Sequence, residues 1–398
     1  MVLASLKQKS TPESILAFIA SLYPNRKTIP LHEPVLGAAE KTEVTACIDS
    51  SFVSSVGVTI TAFEKLLCEF TGAKFAVATV NGTAALHLAL VTAGVKPGME
   101  VITQAATFIA TANAIRYCNA EPIFIDVNRN SLGLCPQALR AWLTKNTEIK
   151  NQRCYNRNTG NEIKACIAMH TFGHPCDIYE LQSICEEFCL TFLEDAAEAL
   201  GSDYHRKQVG TFGLAGVLSF NGNKIITTGG GGALLTNDPN VAASARHLAT
   251  TAKQDPLAST HDEIGFNYRL PALNAALGCA QMKRLPLLLQ AKQNLAEQYA
   301  AFFNALSAEG YQWIKQPEEC RANFWLNTVL CPTQQDRDLL LQLGAEQGIH
   351  CRPLWQPIPF NQPYQHCQRG PLAVTEYIAA RLINLPSSVR GSCYDVLS

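Results

Sequence analysis

The stretch FAVATVNGTAALHLALVTA at residues 75–93 contains the pattern that decides the fold. Its first part, Phe75–Val80, is a short apolar run with the length of a buried strand. Its last part, Ala84–Ala93, has the spacing of a helix, and only Asn81-Gly82-Thr83 separates the two. A strand that leads directly into a helix is the repeating unit of α/β proteins.

The same alternation continues on the C-terminal side to about residue 240. Apolar runs that predict strands alternate with helical patterns such as Thr107–Tyr117 and Asp177–Cys189. The predicted strands are Glu100–Ile102, Pro122–Val127, Lys164–Met169, Thr191–Leu193 and Val217–Phe220. This alternation predicts an α/β fold with a mostly parallel sheet covered by helices on both faces.

The pattern changes after about residue 270 and predicts a smaller α+β domain. Its predicted elements are the helices Pro271–Leu285 and Pro286–Leu306, the strand Asn323–Leu330, and the helices Gln335–Gln347 and Thr375–Leu382. We therefore expect an N-terminal helix and arm at 1–30, a large α/β domain at 31–284 and a small α+β domain at 285–398. A length of 398 residues agrees with this division, since domains contain roughly 150 residues.

The composition excludes several classes of protein. Hydrophobic residues make up 47% of the chain, enough to build a large core, which excludes a disordered protein. The net charge of −1 provides no basic field for a nucleic acid. Charged residues make up only 16%, against roughly 25% in typical soluble chains, so we expect a partner chain to cover part of the surface.

The fifteen cysteines are expected to be free thiols in a reducing cytoplasm. Their number is odd, they are scattered through apolar runs, and residues 1–12 are polar rather than the start of a signal peptide. No Cys-x-x-Cys pair suggests a metal site, so we expect no metal. No apolar run approaches 18 residues, so we expect no membrane span.

Polar residues follow the predicted strands, where ligands bind in open α/β sheets. Gly82 and Thr83 begin a helix after the first strand, and the free amides of a helix N-terminus bind anions such as phosphate. Glu194 and Asp195 end a later strand, and a buried acid needs a partner such as a positively charged ring nitrogen. The ordinary explanation for Gly82-Thr83 is a strand–helix turn with a threonine cap. The ordinary explanation for Asp195 is a helix N-cap.

The segment SFNGNKIITTGGGG at 219–232 places Lys224 between an apolar strand and a run of four glycines. Most lysines are solvated at the surface. In this apolar setting, however, desolvation would make the amine nucleophilic and able to form a Schiff base. The glycines let the backbone approach a flat or bulky group, and Ser219 could supply another phosphate contact. Together the three segments provide what pyridoxal 5′-phosphate requires.

Five segments, taken together, point to one family. They are NGTAALHLAL (81–90), TFIATANAI (107–115), EDAAEALGS (194–202), SFNGNKIITTGGGG (219–232) and GFNYRLPALNAALG (265–278). With them the chain resembles the DegT/StrS family of nucleotide-sugar aminotransferases over nearly its whole length. The resemblance implies a fold of the aspartate-aminotransferase type (pyridoxal phosphate fold type I), with the cofactor bound by the large domain.

The resemblance also implies roles for individual residues. Lys224 would form the Schiff base with pyridoxal 5′-phosphate and then move protons, and Asp195 would hold the ring nitrogen. Phe108 would stack on the ring. The residues implied to bind the cofactor phosphate are Gly82, Thr83, Ser219 and, from a neighbouring subunit, Asn267. The last of these makes a homodimer with shared active sites necessary for activity.

Three positions depart from the family pattern. Glu198 stands where many relatives have glutamine or histidine near the phenolic oxygen of the cofactor ring, and an ionised carboxylate there would repel a phenolate. Asn221-Gly222 replaces a common His-Pro before the lysine, which predicts a different loop shape. Gly230 replaces a common glutamate, which predicts a wider site.

The resemblance implies transamination of C4 of a nucleotide-linked 4-keto-6-deoxy sugar, with glutamate as donor, for the synthesis of surface polysaccharides or nonulosonic acids. The segments at 49–57 and 166–177 favour UDP-2-acetamido-4-keto-2,4,6-trideoxyhexose as the acceptor. A GDP-perosamine synthase is the alternative within the family, and a pyridoxal phosphate-binding regulator without turnover is the alternative from another class. His174, Trp325 and Arg352 are candidates for contacts with the sugar nucleotide, although His174 could simply cap a turn and Trp325 could equally be a packing residue.

Overall fold

The computed structural model describes residues 11–255 and 259–390 of the chain. The helices are α1 (Thr11–Leu22), α2 (Ala38–Asp49), α3 (Val58–Thr71), α4 (Gly82–Thr92), α5 (Ile109–Tyr117), α6 (Pro136–Asn146), α7 (Ile178–Glu187), α8 (Pro239–Ala249), α9 (Ala272–Ala305), α10 (Gln334–Glu346) and α11 (Ala373–Arg381).

The strands follow the predicted apolar runs and add short ones between them. They are β1 (Phe75–Thr79), β2 (Glu100–Gln104), β3 (Glu121–Ile125), β4 (Thr147–Lys150), β5 (Arg153–Asn156), β6 (Glu162–Met169), β7 (Thr191–Asp195), β8 (Asp203–Tyr204), β9 (Lys207–Gln208), β10 (Ala215–Ser219), β11 (Gly232–Thr236), β12 (Lys253–Asp255), β13 (Thr260–His261), β14 (Gln312–Trp313), β15 (Cys320–Arg321), β16 (Asn327–Leu330), β17 (Arg352–Pro353) and β18 (Leu382–Leu385).

The central sheet has the strand order β1-β11-β10-β7-β6-β2-β3. Neighbouring strands from β10 to β3 are parallel, whereas β11 is antiparallel to both of its neighbours. The hairpin of β4 and β5 extends the sheet beside β6. The predicted α/β fold with a mostly parallel sheet is therefore confirmed.

Both faces of this sheet are covered, because alternate residues of its strands belong to different apolar clusters. In β2, Val101 packs with residues of α4, α5 and α8, whereas its neighbour Ile102 packs with residues of α3, α6 and α7. The sheet is thus the middle layer of three. Since neither face meets water, only the ends of the strands are open to a ligand.

A second, four-stranded sheet has the order β14-β16-β18-β17 and is antiparallel throughout. One apolar cluster covers it. That cluster joins Ile15 and Ile19 of α1, Leu295 and Tyr299 of α9, and Leu340 of α10. The N-terminal helix is therefore packed against the C-terminal sheet, although the two are far apart in the sequence.

The expectation of two helices at 271–306 is wrong, because α9 is a single helix of 34 residues. Pro286 lies inside it and cannot donate the backbone hydrogen bond that the carbonyl of Met282 would accept. Both halves bury apolar side chains, such as Leu285 on one side and Leu295 on the other. This burial offsets the lost hydrogen bond and keeps the helix continuous.

The expected boundary at 284/285 falls inside α9, and the division into domains stays a prediction. Part of the predicted N-terminal segment (residues 1–10) and the end of the predicted C-terminal domain (391–398) lie outside the described residues. The fourteen cysteines that the structure describes are all free. Within 11–255 and 259–390, no helix combines the length and the apolar character that crossing a membrane requires.

Candidate active site

The ends of β1, β7 and β10 lie at one edge of the central sheet and open onto a cavity of about 650 Å³. Nine of the residues predicted from the sequence line it: Gly82, Thr83, Phe108, Asp195, Glu198, Ser219, Lys224, Trp325 and Arg352. Two others, His174 and Asn267, do not. Segments that are hundreds of residues apart therefore meet at the place where α/β folds bind their ligands.

One wall of the cavity is the N-terminus of α4. The side chain of Asn81 caps this helix, since its Oδ1 accepts a hydrogen bond from the Ala84 amide at 2.8 Å. The amides of the first helical turn, at Gly82 and Thr83, have no partner within the helix. A Cβ added to Gly82 would lie 3.0 Å from the Cβ of Ser219, so glycine allows the two segments to form one concave surface. This surface offers the backbone amides and hydroxyl groups that a phosphate requires.

The glycine run was predicted to let the backbone approach a flat or bulky group. Gly232, in this run, has a different role. This residue lies between Thr79 and Ser219 in the strand register. A Cβ there would meet the backbone of Asn81 and Gly82 at 2.5–2.6 Å. What the glycine allows is therefore a close approach of the sheet to the helix N-terminus. A Cβ on Gly230 would have only an ordinary contact, at 3.8 Å from the Val80 carbonyl oxygen.

Asp195, the last residue of β7, is buried at the floor of the cavity. Its Oδ2 accepts a hydrogen bond from the Thr111 hydroxyl at 2.7 Å, and its Oδ1 accepts one from the Ala197 amide at 3.1 Å. Burial raises the pKa of this carboxyl, and the two hydrogen bonds oppose the rise. A cationic N–H group in the cavity would favour the ionised form further.

Behind Asp195 lies a buried pair that the sequence did not reveal. The Nε2 of His170 is 3.1 Å from Oε2 of Glu194, and the His170 amide donates to the Asp195 carbonyl at 3.0 Å. The Nδ1 of His170 accepts a hydrogen bond from the Cys176 amide at 3.1 Å, so the ring proton lies on Nε2 and is donated to Glu194. Alternate residues of a strand face opposite sides. The network therefore holds Glu194 on the side of β7 away from the cavity, while Asp195 faces the cavity.

Lys224 lies in the loop that follows β10, and its side chain is only 13% exposed. Its Nζ donates to Oε1 of Glu198 at 3.2 Å. The other carboxylate oxygen of Glu198 accepts from the Phe172 amide at 2.9 Å. Burial raises the pKa of Glu198, and the positive charge of Lys224 opposes the rise. Glu198 therefore faces the lysine.

Trp325 covers Lys224 from the C-terminal part of the chain. The lysine Nζ lies 4.0 Å from the centre of the Trp325 ring, which is the geometry of a cation–π contact. The indole Nε1 donates to the carbonyl of Asn223 at 2.6 Å, and Asn223 immediately precedes the lysine. Trp325 thus contacts both the lysine and its loop. Trp325 therefore lines the cavity beside the lysine, and its contact with the sugar nucleotide stays a prediction.

The mouth of the cavity is aromatic and basic. Phe108 is 47% exposed although it is large and apolar, and its ring is 5.9 Å from that of Trp355. Arg352 also lines the cavity, and its guanidinium donates to the neighbouring carbonyl of Cys351 at 3.1 Å. A flat ring bound in the cavity could cover the exposed face of Phe108. The remaining donors of Arg352 suit phosphate oxygens.

The expected contact of His174 with the substrate is wrong. The side chain is fully buried away from the cavity, with its ring 5.5 Å from that of Phe324. Neither ring nitrogen has a hydrogen-bond partner among the described residues. Burial lowers the pKa of His174 to about 4, so the ring is neutral. His174 instead caps the short turn Thr171–Gly173, since its backbone amide donates to the Thr171 carbonyl at 3.0 Å.

Asn267 is exposed and lies outside the cavity of its own chain, where it pairs with Thr250 in an isolated bridge. Its expected contact with the phosphate of a neighbouring subunit stays a prediction.

Thr111, in contrast, is a site residue that sequence reasoning missed. It lies inside the quoted segment at 107–115, but only the fold brings its hydroxyl to Asp195.

These residues fit pyridoxal 5′-phosphate. The concave surface of helix N-terminus, Thr83 and Ser219 suits its phosphate, and the buried carboxylate of Asp195 suits a protonated ring nitrogen. The amine of Lys224 lies in the same cavity and suits its aldehyde. The volume of about 650 Å³ leaves room for a substrate beside the cofactor.

Curated relatives of this chain are sugar aminotransferases. It is 35% identical over 362 residues to a GDP-perosamine synthase of Escherichia coli O157:H7, covering 91% of this chain and 93% of the relative. It is 34% identical over 364 residues to a GDP-perosamine synthase of Caulobacter vibrioides, covering 90% and 93%. The likeness therefore extends over nearly the whole of this chain and of each relative.

Solved structures give the same result. The fold matches Helicobacter pylori PseC, an aminotransferase involved in the biosynthesis of pseudoaminic acid. The TM-score is 0.79, the identity is 26%, and the match covers 93% of this chain and 97% of PseC. It also matches DesI solved with its TDP-sugar product, with a TM-score of 0.79, 26% identity and coverage of 93% and 91%.

The family description that matches the sequence extends over residues 34–395. That range includes both sheets and every residue of the cavity except Leu31. Enzymes of this family use pyridoxal 5′-phosphate, which the cavity fits, and the relatives act on sugars. The chain is therefore a pyridoxal phosphate-dependent sugar aminotransferase and belongs to the DegT/DnrJ/EryC1/StrS aminotransferase family.

Proposed function

We propose that the protein transfers an amino group from glutamate to C4 of a nucleotide-linked 4-keto-6-deoxy sugar. Glutamate becomes 2-oxoglutarate in the first half-reaction, and the keto group of the sugar becomes an amine in the second. The observation that carries the proposal is the position of the Lys224 amine in one cavity with the carboxylate of Asp195 and the phosphate cradle of α4. Pyridoxal 5′-phosphate bound there holds the amino group between the two half-reactions and acts as an electron sink.

In this proposal the residues of the chain bind and move protons. Lys224 takes a proton from the α-carbon of glutamate as general base in the first half-reaction and gives a proton to C4 of the sugar as general acid in the second. Glu198 and Trp325, in contact with its Nζ, restrict the positions that the amine can take. Asp195, held by Thr111, keeps the ring nitrogen protonated. Phe108 stacks on the ring and excludes water from that face.

The acceptor that the relatives favour is GDP-4-keto-6-deoxymannose. Three curated GDP-perosamine synthases are 33–35% identical to this chain and match 90–91% of it. The near-neutral chain has no general basic surface, so a local cation has to meet the pyrophosphate. Arg352 suits this role because it lines the mouth of the cavity and guanidinium groups bind phosphate oxygens in pairs.

UDP-2-acetamido-4-keto-2,4,6-trideoxyhexose is the second candidate acceptor. It is supported by the resemblance of the segments at 49–57 and 166–177. The second segment contributes Met169 and Phe172 to the cavity, whereas most of its other residues are buried in the core.

The experiment is a comparison of the two keto sugars with the purified holoenzyme and glutamate. We expect amination of both sugars at C4 only, and a higher kcat/KM for the GDP-linked sugar; NMR of the product identifies the aminated carbon. A preference for the UDP-linked sugar would overturn the first choice of acceptor. Absence of turnover with both sugars would overturn the proposed acceptor class, a nucleotide-linked 4-keto-6-deoxy sugar. The Lys224→Ala protein is the matched control for background reaction.

A further inference from the structure

We propose a zinc-binding site formed by Glu121, His366 and Cys367. This site is separate from the aminotransferase reaction. Glu121 begins β3, and the other two residues lie in a turn far along the chain. The three side chains meet at the surface, and none of them lines the cofactor cavity. Sequence reasoning missed the site because 244 residues lie between Glu121 and His366.

The distances between the three ligand atoms carry the proposal. The Nε2 of His366 lies 3.5 Å from Oε2 of Glu121 and 3.7 Å from Sγ of Cys367. The Sγ of Cys367 lies 3.9 Å from the same carboxylate oxygen. Zinc bonds of roughly 2.0–2.3 Å in tetrahedral geometry place ligand atoms roughly 3.3–3.6 Å apart. Movements of a few tenths of an ångström would therefore complete the triangle.

The carboxylate of Glu121 is already oriented for this role. Its Oε1 accepts a hydrogen bond from the guanidinium of Arg116, whereas its Oε2 faces His366 and Cys367. Arg116 also donates to the carbonyl of Ala120 at 3.3 Å, which fixes the guanidinium. Metal-ligating carboxylates are commonly held by such an outer hydrogen bond, because it leaves one oxygen free to point at the metal.

The backbone holds the two segments in register without a metal. The amide of Phe124 in β3 donates to the carbonyl of Gln368 at 3.0 Å, and the amide of Gly370 donates back to Phe124 at 2.9 Å. The amide of Cys367 donates to the carbonyl of Tyr364 at 3.1 Å, which closes the turn that carries both ligands. The ligands are therefore largely in place before an ion binds, which reduces the entropy cost of binding.

The chemistry of the donors selects the ion. One thiolate, one imidazole and one carboxylate suit zinc, whereas calcium and magnesium require oxygen ligands throughout. Cys367 is buried and His366 is exposed, so the fourth position faces water. When the ion binds, the Cys367 thiol loses its proton to solvent and its sulfur forms the bond to zinc.

A second cluster on the chain provides a comparison. His247, Asp262 and Glu263 also lie within reach of one another, but none of them is buried and none is a cysteine. The Nε2 of His247 already bonds to Asp262 at 2.7 Å, which is too short to admit an ion between them. We assign no ion to this cluster, and it serves as a control.

The experiment measures zinc bound to the holoenzyme by equilibrium dialysis and metal analysis. We expect saturation at about one zinc per chain and a rise in Tm with zinc concentration. Cys367→Ser and His366→Ala should each weaken the affinity by roughly 10–100-fold or more, since losing a ligand costs at least as much as losing an outer hydrogen bond. The exposed His366 allows a variant that leaves the core intact.

Two control variants, Cys189→Ser and His247→Ala, change an exposed cysteine and the second cluster, and both should bind zinc as the unchanged protein does. The holoenzyme with Co²⁺ in place of zinc should absorb through thiolate-to-metal charge transfer, and Cys367→Ser should abolish this band. Zinc binding that survives in both ligand variants would overturn the site. Absence of saturable binding, or of the charge-transfer band, would overturn it equally.

Discussion

Oε1 of Glu198 lies 3.2 Å from the Nζ of Lys224, inside a cavity where both side chains are largely removed from water. The sequence had suggested an acid near the phenolic oxygen of the cofactor, where it would repel negative charge. In the structure Glu198 is paired with the lysine, and its second oxygen is held by the Phe172 amide. Glu198 can therefore influence the charge of the lysine nitrogen directly.

We predict that Glu198→Gln shifts the pH dependence of the cofactor absorbance to lower pH. The amide keeps the shape and the hydrogen bond from Phe172, but it removes a negative charge that favours the protonated form of a nearby nitrogen. The measurement is a pH titration of the visible spectrum, with the midpoint compared between the two proteins. An unchanged midpoint would mean that Glu198 is protonated when the cofactor is bound, as burial favours.

We predict that Lys224→Ala abolishes covalent attachment of the cofactor. The rate of transamination should fall by roughly 10²–10⁴-fold, the usual contribution of a general base. The cavity contains one lysine among its lining residues, so no neighbour can replace its amine there. Borohydride reduction followed by mass spectrometry detects the attachment. Lys207→Ala, which changes an exposed lysine, is the control. Attachment that persists in Lys224→Ala would identify a different lysine.

We predict that Arg352→Ala raises KM for the nucleotide sugar by roughly 10–100-fold and leaves KM for glutamate nearly unchanged. A charged hydrogen bond is worth roughly 1.5–3 kcal/mol, and only the sugar nucleotide carries a pyrophosphate. Steady-state kinetics with each substrate varied in turn provide the test. An equal rise in both KM values would contradict a role in binding the pyrophosphate.

We predict that the active unit is a homodimer whose subunits share active sites. The low fraction of charged residues and the exposed position of Asn267, outside the cavity of its own chain, motivate this prediction. Mixing inactive Lys224→Ala with inactive Asn267→Ala chains should restore part of the activity, because one site of the hybrid carries neither change. A fully active monomer in sedimentation would contradict the prediction.

We predict that His174 makes stability depend on pH. Its pKa is about 4 in the folded protein and near 6.5 when unfolded, so between these values only the unfolded chain binds the proton. The stability is fully present above the unfolded pKa and falls by about 1.4 kcal/mol per pH unit as the pH drops towards 4. His174→Leu should remove this share of the pH dependence of denaturant unfolding. His350→Leu, at an exposed position, should not.

Local patterns predicted most elements of the large sheet because each strand and helix depends on its own apolar residues. The polar residues at strand ends, such as Asp195 and Ser219, could also be located, since parallel strands bring their carboxyl ends to one edge. Pro286 misled the prediction because tertiary packing, which no short window contains, keeps α9 intact.

Contacts between distant segments could not be predicted from one sequence. The hydroxyl of Thr111 reaches Asp195, and the ring of Trp325 reaches Lys224, only because the fold brings separate segments together. The same reason explains the error at His174, since a histidine beside a turn gives no sign of which way its ring faces. The motif at 219–232 identified the lysine but not the acid that pairs with it.

The continuity of α9 has a consequence for how substrates enter. Enzymes that open by rotating one lobe against another need a hinge, usually a loop, between the lobes. Here a helix about 51 Å long, the length of 34 residues, contributes side chains both to the apolar core at the central sheet and to the one that covers the second sheet. We therefore expect access to the cavity to be controlled by side chains that line it, such as Trp355 and Phe108, rather than by bending of this helix.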